Sequence, residues 1–128
     1  MSRAQELFPQ VKEIFFDDDT FTIGKSRVLD LCQKLKSLKF TWSCNARVTI
    51  DFETLQAMKE AGCCRLLIVG FESGDPTILK NIKKGATIEQ AQAFMKHCKG
   101  LGFKVHGDFQ MGPPGEARET IERTIPKE

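Results

Sequence analysis

The sequence predicts an α/β fold in which about four parallel strands form part of a (β/α) TIM-like barrel. Three observations carry this expectation. Four short apolar runs alternate with helical patterns along 128 residues, and repeated strand–helix units imply parallel strands joined by right-handed crossovers. Two of the runs have one polar face, whereas the strands of a doubly wound sheet are covered on both faces and read as continuously apolar. Every run also closes on charged residues or glycine, at the strand ends where parallel α/β folds bind ligands.

The elements follow in order. The run EIFF (13–16) stops on Asp17, Asp18 and Asp19. Val28, Leu31, Cys32, Leu35 and Leu38 then share one helical face. In TWSCNAR (41–47), Ser43, Asn45 and Arg47 alternate with Trp42, Cys44 and Ala46. Asp51 can cap the helix FETLQAMKEA, which Gly62 would stop. After the run CRLLIVGF (64–71), Asp75 followed by Pro76 opens a short helix carrying Leu79 and Ile82. Thr87 with Gln90 is a capping box ahead of Ala91, Phe94, Met95 and Cys98, and Gly100 and Gly102 close that helix. In FKVHGDFQM (103–111), Lys104, His106, Asp108 and Gln110 alternate with an apolar set. A last helical stretch runs from about Glu116 to Ile125 and ends at Pro126. With no linker and no low-complexity run, residues 1–128 are expected to form a single domain.

Bulk composition narrows the function classes. A net charge of +2 with both signs dispersed gives no basic stripe for nucleic acid and no polybasic membrane patch. No apolar run approaches a membrane span, and the polar MSRAQELFPQ start lacks a signal-peptide pattern, which fits a soluble cytoplasmic chain. The five cysteines (Cys32, Cys44, Cys63, Cys64 and Cys98) are odd in number and lack C-x2-C or C-x3-C spacing. They are expected as thiols, mostly acting as small buried hydrophobes. A zinc site built on His97 and Cys98 lacks the usual ligand spacing.

The four strand ends collect polar residues: Asp17 to Thr20, then Arg47, then Glu72 and Ser73, then Gly112, Gly115 and Glu116. Their coincidence argues for one site, although each residue also has a plain structural reading. The aspartates suit a turn and helix cap, Arg47 suits a rim ion pair, and the glycines suit tight turns. An apolar strand followed by D-x-D also opens magnesium-dependent, haloacid-dehalogenase-like phosphatases, in which Asp17 or Asp19 would be the nucleophile. That pattern continues with glycine, whereas Thr20 and Phe21 follow here, and the lysine and second acidic pair have no convincing candidates. A non-catalytic nucleotide-binding α/β module is a third reading.

Taken in order, the blocks IFFDDDTFT, WSCNARV, MKEAGCCRLLIVGFESGDPTILKNIKKG and GFKVHGDFQMGPPGEARETIERTI resemble the radical S-adenosylmethionine (radical SAM) superfamily. The similarity is greatest to the branch that often carries a cobalamin-binding domain, and it runs from about Lys12 to Ile125. It implies strands two to five of a (β/α)6 radical SAM barrel. In such Fe-S oxidoreductases a [4Fe-4S] cluster reduces S-adenosylmethionine to a 5′-deoxyadenosyl radical that attacks a small-molecule substrate. By this resemblance Asp18, Asp19 and Thr20 fall where the cofactor's amino group is met. Glu72 and Ser73 fall at the ribose and carboxylate, and Gln110, Gly112 and Glu116 at the adenine. Arg47 becomes a polar contact to cofactor or substrate, and His106 and Asp108 line the substrate cavity or a structural network.

The resemblance also has a gap. The C-x3-C-x2-C motif whose thiolates hold the cluster is absent, and MSRAQELFPQ is similar to the tail of the helix that follows the cluster loop. The chain is therefore expected to be an internal barrel piece that is inactive alone and weak in S-adenosylmethionine binding. Its outer strand edges would be open to self-association.

Overall fold

The computed structural model describes residues 2–19, 21–38 and 40–125. Its elements alternate as the sequence predicts: α1 (Ser2–Leu7), β1 (Glu13–Phe16), α2 (Lys25–Leu35), β2 (Thr41–Asn45), α3 (Phe52–Glu60) and β3 (Cys64–Glu72). They are followed by α4 (Pro76–Asn81), α5 (Ile88–Leu101), β4 (Lys104–Phe109) and α6 (Arg118–Thr124). The strands form one sheet in the order β1-β2-β3-β4, every pairing parallel. A sequential order has no switch point, so right-handed crossovers place the connecting helices on one face. The result is the wall of a barrel, with one face of the sheet covered and the other open.

Local chemistry accounts for the helix boundaries. The Asp51 carboxylate accepts from the Thr54 amide, and Asp75 accepts from the amides of Thr77 and Ile78 ahead of Pro76. Thr87 and Gln90 form the reciprocal capping box. Gly102, at φ 73°, closes α5, while Gly100 lies inside that helix rather than at its end. Ile82 caps α4 instead of extending it.

The core fills the space between sheet and helices. Trp42 and Cys44 of β2 and Leu67 and Val69 of β3 pack with Val28, Leu55, Met58, Phe94 and Cys98 from the helices. Phe16 and Phe21 meet Trp42, with ring centroids 5.9 and 5.5 Å away. Cys32, Cys44, Cys64 and Cys98 are buried and only Cys63 is exposed. Burial pushes the Cys32 and Cys98 thiols up to about 11, and a hydrogen bond with Cys44 raises Cys64.

On the open face, the strand residues that alternate with the core form rows. Phe15 pairs in register with Ser43, Ser43 with Leu66, and Leu66 with Lys104. A register shift beside Trp42 leaves Arg65 outside the ladder. Its guanidinium clasps both Glu13 carboxylate oxygens at 2.8–3.2 Å. That clasp, with the Ser43 hydroxyl, holds the Glu13 carboxyl below its usual value. Among the described residues, no helix is long and apolar enough to cross a membrane.

Candidate functional site

Because all four strands are parallel, their carboxyl ends share one rim. At the β3 end a second register irregularity lies between Gly70 and Glu72. It leaves Glu72 at φ 68°, a left-handed conformation uncommon for a residue with a side chain. From there the Glu72 carboxylate folds back to accept from Lys84 Nζ at 3.0 Å, both side chains being largely buried. Gly70 makes room for this pair, since a Cβ there would lie 2.4 Å from Glu72 Oε1 and 3.3 Å from Lys84 Nζ. Beside the pair, Arg47, Thr49, Gly70, Lys83 and Lys84 line a cleft of about 380 Å³. With Lys84 paired to Glu72, Arg47 and Lys83 leave the cleft a net positive charge, which suits an anionic group.

The rest of the β3 end is locked from behind. Ser73 is buried; its hydroxyl accepts from the Asp75 amide at 3.1 Å and bonds the Thr124 hydroxyl at 3.2 Å. The Gly74 amide donates to Thr124 Oγ1 at 2.9 Å. Gly74 is required here because a Cβ would come within 2.6 Å of the Arg123 carbonyl oxygen. Asp75 is fully buried and receives Arg123 NH1 in addition to the two α4 amides. The guanidinium, then those amides, hold its carboxyl below the ordinary carboxylate value despite burial.

At the β1 end, Asp17 accepts from Asn45 Nδ2 at 3.4 Å. Asp18 faces Arg27 NH1 at 3.9 Å. Arg27 also donates to the carbonyls of Phe21 (2.8 Å) and Ile23 (3.3 Å), so it gathers the loop that leads into α2. Asp19 is exposed, and Thr20 lies outside the described residues. Arg47 follows β2, with its amide bonded to Thr22 Oγ1 at 3.2 Å.

At the β4 end, the Gln110 amide donates to the Glu72 carbonyl at 2.9 Å, joining the ends of β3 and β4. The Gly112 amide donates to the Glu116 carboxylate, which fastens the glycine–proline loop. Below the rim, His106 and Asp108 sit on the open face with Nε2 and Oδ1 3.1 Å apart.

The structure thus brings Glu72, Gln110, Arg47 and Asp17 onto neighbouring strand ends. Ser73 and Glu116 spend their polar atoms on partners within the chain. Sequence reasoning missed Lys84, Arg27 and the Asp75–Arg123–Thr124 lock. Only the Lys83–Lys84 pair ahead of Gly85 carries a local signal, as cations close after a strand-end glutamate. The phosphatase reading of Asp17 and Asp19 gains nothing, because the described residues hold no His, Cys, Asp and Glu group suited to a metal.

Comparison with known proteins bears on this rim. The sequence profile of the radical SAM superfamily matches residues 2–125. An uncharacterised methyltransferase of Pyrococcus horikoshii is 41% identical over 118 residues, 90% of this chain and 26% of that protein. Cytidylyl-2-hydroxyethylphosphonate methyltransferase of Streptomyces wedmorensis is 31% identical across 88% of this chain and 22% of its own length. The chain therefore spans about a quarter of these curated relatives. Among solved structures, the radical S-adenosylmethionine methyltransferase TsrM of Kitasatospora setae, with cobalamin and a [4Fe-4S] cluster bound, superposes with a TM-score of 0.82. That match covers 96% of this chain and 26% of TsrM at 19% identity, a likeness of fold.

Proposed function

Because the chain belongs to the radical SAM superfamily, we propose that it forms the S-adenosylmethionine-binding wall of a radical SAM barrel, corresponding to strands two to five. The observation that carries this reading is the left-handed Glu72 with its Lys84 partner, set beside a basic cleft on the rim. S-adenosylmethionine presents an ammonium, a sulfonium, a carboxylate and a ribose diol, and the rim offers a complement to each. Asp18 and Asp19 suit the ammonium, while Arg47, Lys83 and Lys84 suit the carboxylate. Glu72 and Gln110 suit the diol, and Gly112 lets backbone approach the adenine without a side chain between. Glu116 acts through Gly112 by holding that loop. Ser73 supports the turn behind Glu72 rather than offering a free hydroxyl. His106 and Asp108, on the open face below the rim, would meet the small-molecule substrate.

A [4Fe-4S] cluster does not fit these residues. Iron needs thiolates, yet four of the cysteines are buried in the core, with Cys32, Cys64 and Cys98 raised away from the thiolate form. We therefore read this chain as neither holding a cluster nor generating a radical by itself. For the whole protein we extend the reading to methyl transfer in the cobalamin-associated branch, supported by the names of the curated relatives and by the TsrM fold.

The test is a titration of the chain with S-adenosylmethionine, followed by amide NMR. Weak binding in the millimolar range is expected, about −4 kcal/mol, with shifts at Glu72, Gln110 and Gly112. Lys84→Ala should weaken it about tenfold. Saturating ligand that leaves those three amides unmoved overturns the reading.

A further inference from the structure

The loop between β4 and α6 is fastened from within and from without. Within it, the Glu116 amide donates to the Pro113 carbonyl at 3.1 Å, and Gly115 stands at φ 86°. Proline at the second position and a left-handed glycine at the third make Pro113–Glu116 a type II turn. Type I′ is closed to it, because Pro114 cannot take a positive φ. The outer fastening is Asn81, the last residue of α4, which donates from Nδ2 to the Pro114 carbonyl at 3.2 Å. Gly115 lies so close that a Cβ there would stand 2.7 Å from Asn81 Nδ2 and 4.0 Å from Ile78 Cδ1. Ile78 and Asn81 are three residues apart and share the helix face on which the turn rests.

The choice of carbonyl matters. Turns of types I and II differ by a flip of the peptide between their two central residues, here Pro114 and Gly115. Its carbonyl is the one that Asn81 holds, so the Asn81 amide selects one orientation of that peptide. The bond is trans, and in a trans peptide the N–H points opposite to the C=O. The Gly115 N–H is therefore turned away from α4, and it donates to nothing among the described residues.

We propose that Asn81 is a positioning residue for adenine recognition: by holding the Pro114 carbonyl it presents the Gly115 N–H as a donor to a ring nitrogen of the adenine. This rests on the reading that the β4–α6 loop meets the adenine. The ring nitrogens of adenine accept hydrogen bonds, and only its exocyclic amine donates. A flipped peptide would offer a carbonyl instead, which repels the ring nitrogens. Asn81 thus sets the sign of the contact without touching the ligand. The same short helix is capped by Asp75 behind Glu72, and Lys84, the partner of Glu72, follows three residues after Asn81. α4 so holds the turn of β4 in a fixed relation to the Glu72–Lys84 pair.

Amide NMR of the full chain with S-adenosylmethionine tests this, comparing the parent with Asn81→Asp. Aspartate keeps the size of asparagine but lacks its N–H donors, and its oxygens repel the Pro114 carbonyl. Asn81 is exposed, so the variant should keep the native circular dichroism. In the parent, saturating ligand should move the Gly115 amide proton downfield. In Asn81→Asp that shift should be lost and affinity should fall about fivefold, the worth of one hydrogen bond, while the Glu72 amide still responds. A Gly115 proton that stays fixed in the parent while Glu72 and Gln110 move would overturn the inference and leave the ligand reading standing. So would an Asn81→Asp variant with the parent's Gly115 shift and affinity. If none of Glu72, Gln110, Gly112 and Gly115 moves at saturating ligand, the ligand reading fails and this inference falls with it.

Discussion

The β3 and β1 ends of the rim are built differently. At the β3 end, Ser73, Asp75, Arg123 and Thr124 form one set of hydrogen bonds and Glu72 with Lys84 a second beside it, with Ser73, Asp75 and Thr124 buried. At the β1 end, three consecutive aspartates sit on an exposed loop, tied by a 3.4 Å contact to Asn45 and a 3.9 Å approach of Arg27. The densest charge in the sequence is therefore the less organised part of the rim. Order comes instead from residues 48 to 51 positions apart in the chain, brought together when α6 packs on the β3–α4 turn.

The largest expected effect is a test of that lock. Asp75→Ala removes two helix-capping bonds and leaves Arg123 without its partner. Because Arg123 is mostly exposed, water takes over part of its role. The expected loss in urea unfolding is about 3 kcal/mol, the low end for breaking a buried pair. The pH dependence follows in sign. The folded Asp75 carboxyl lies below its ordinary value of 3.8, so its stabilisation is fully present above about pH 4 and is lost as the pH falls through the folded value. Asp75→Ala should therefore flatten part of the acid limb of the stability curve. An unchanged limb would mean that the Asp75 carboxyl titrates alike in the folded and unfolded chain, so that Arg123 and the α4 amides do not hold it down.

Much of the fold was legible because its signals are local. Asp51, Asp75 and Thr87 act as caps within three residues of themselves, and the alternation in β2 and β4 revealed the open face. The family resemblance rested on ordered blocks from about Lys12 to Ile125, and the profile match over residues 2–125 contains that span. The site was less legible. Ser73 read as a ligand contact, yet its partner Thr124 lies in a helix whose packing no spacing encodes. Lys84 was missed because its role depends on Glu72 turning left-handed, a consequence of the irregular β3–β4 register.

Gly70→Ala probes the same end with a smaller effect. The new Cβ collides with Glu72 Oε1, but the obstacle is the tip of a flexible side chain, so Glu72 can swing away. A stability loss of about 1 kcal/mol is expected, comparable to forcing one core side chain off its rotamer. Loss of the Lys84 contact should appear as a displaced Lys84 ammonium signal in NMR. If stability and that signal both stay fixed, the Glu72–Lys84 pair does not set the shape of the rim.

The smallest effect belongs to the acidic triplet, and it sharpens the contrast between the two ends. Asp19 is exposed and adjoins two further carboxylates, so its ionised form is repelled by its neighbours. Removing it by Asp19→Ala relieves that repulsion, while the Asp17–Asn45 and Asp18–Arg27 contacts stay in place. The expected change in unfolding free energy is within about 0.5 kcal/mol, with stabilisation the favoured sign at low salt. Added salt should erase the gain, since screening removes the repulsion in the parent chain as well. A loss above about 1 kcal/mol would instead show that Asp19 anchors the loop, making the β1 end as constructed as the β3 end.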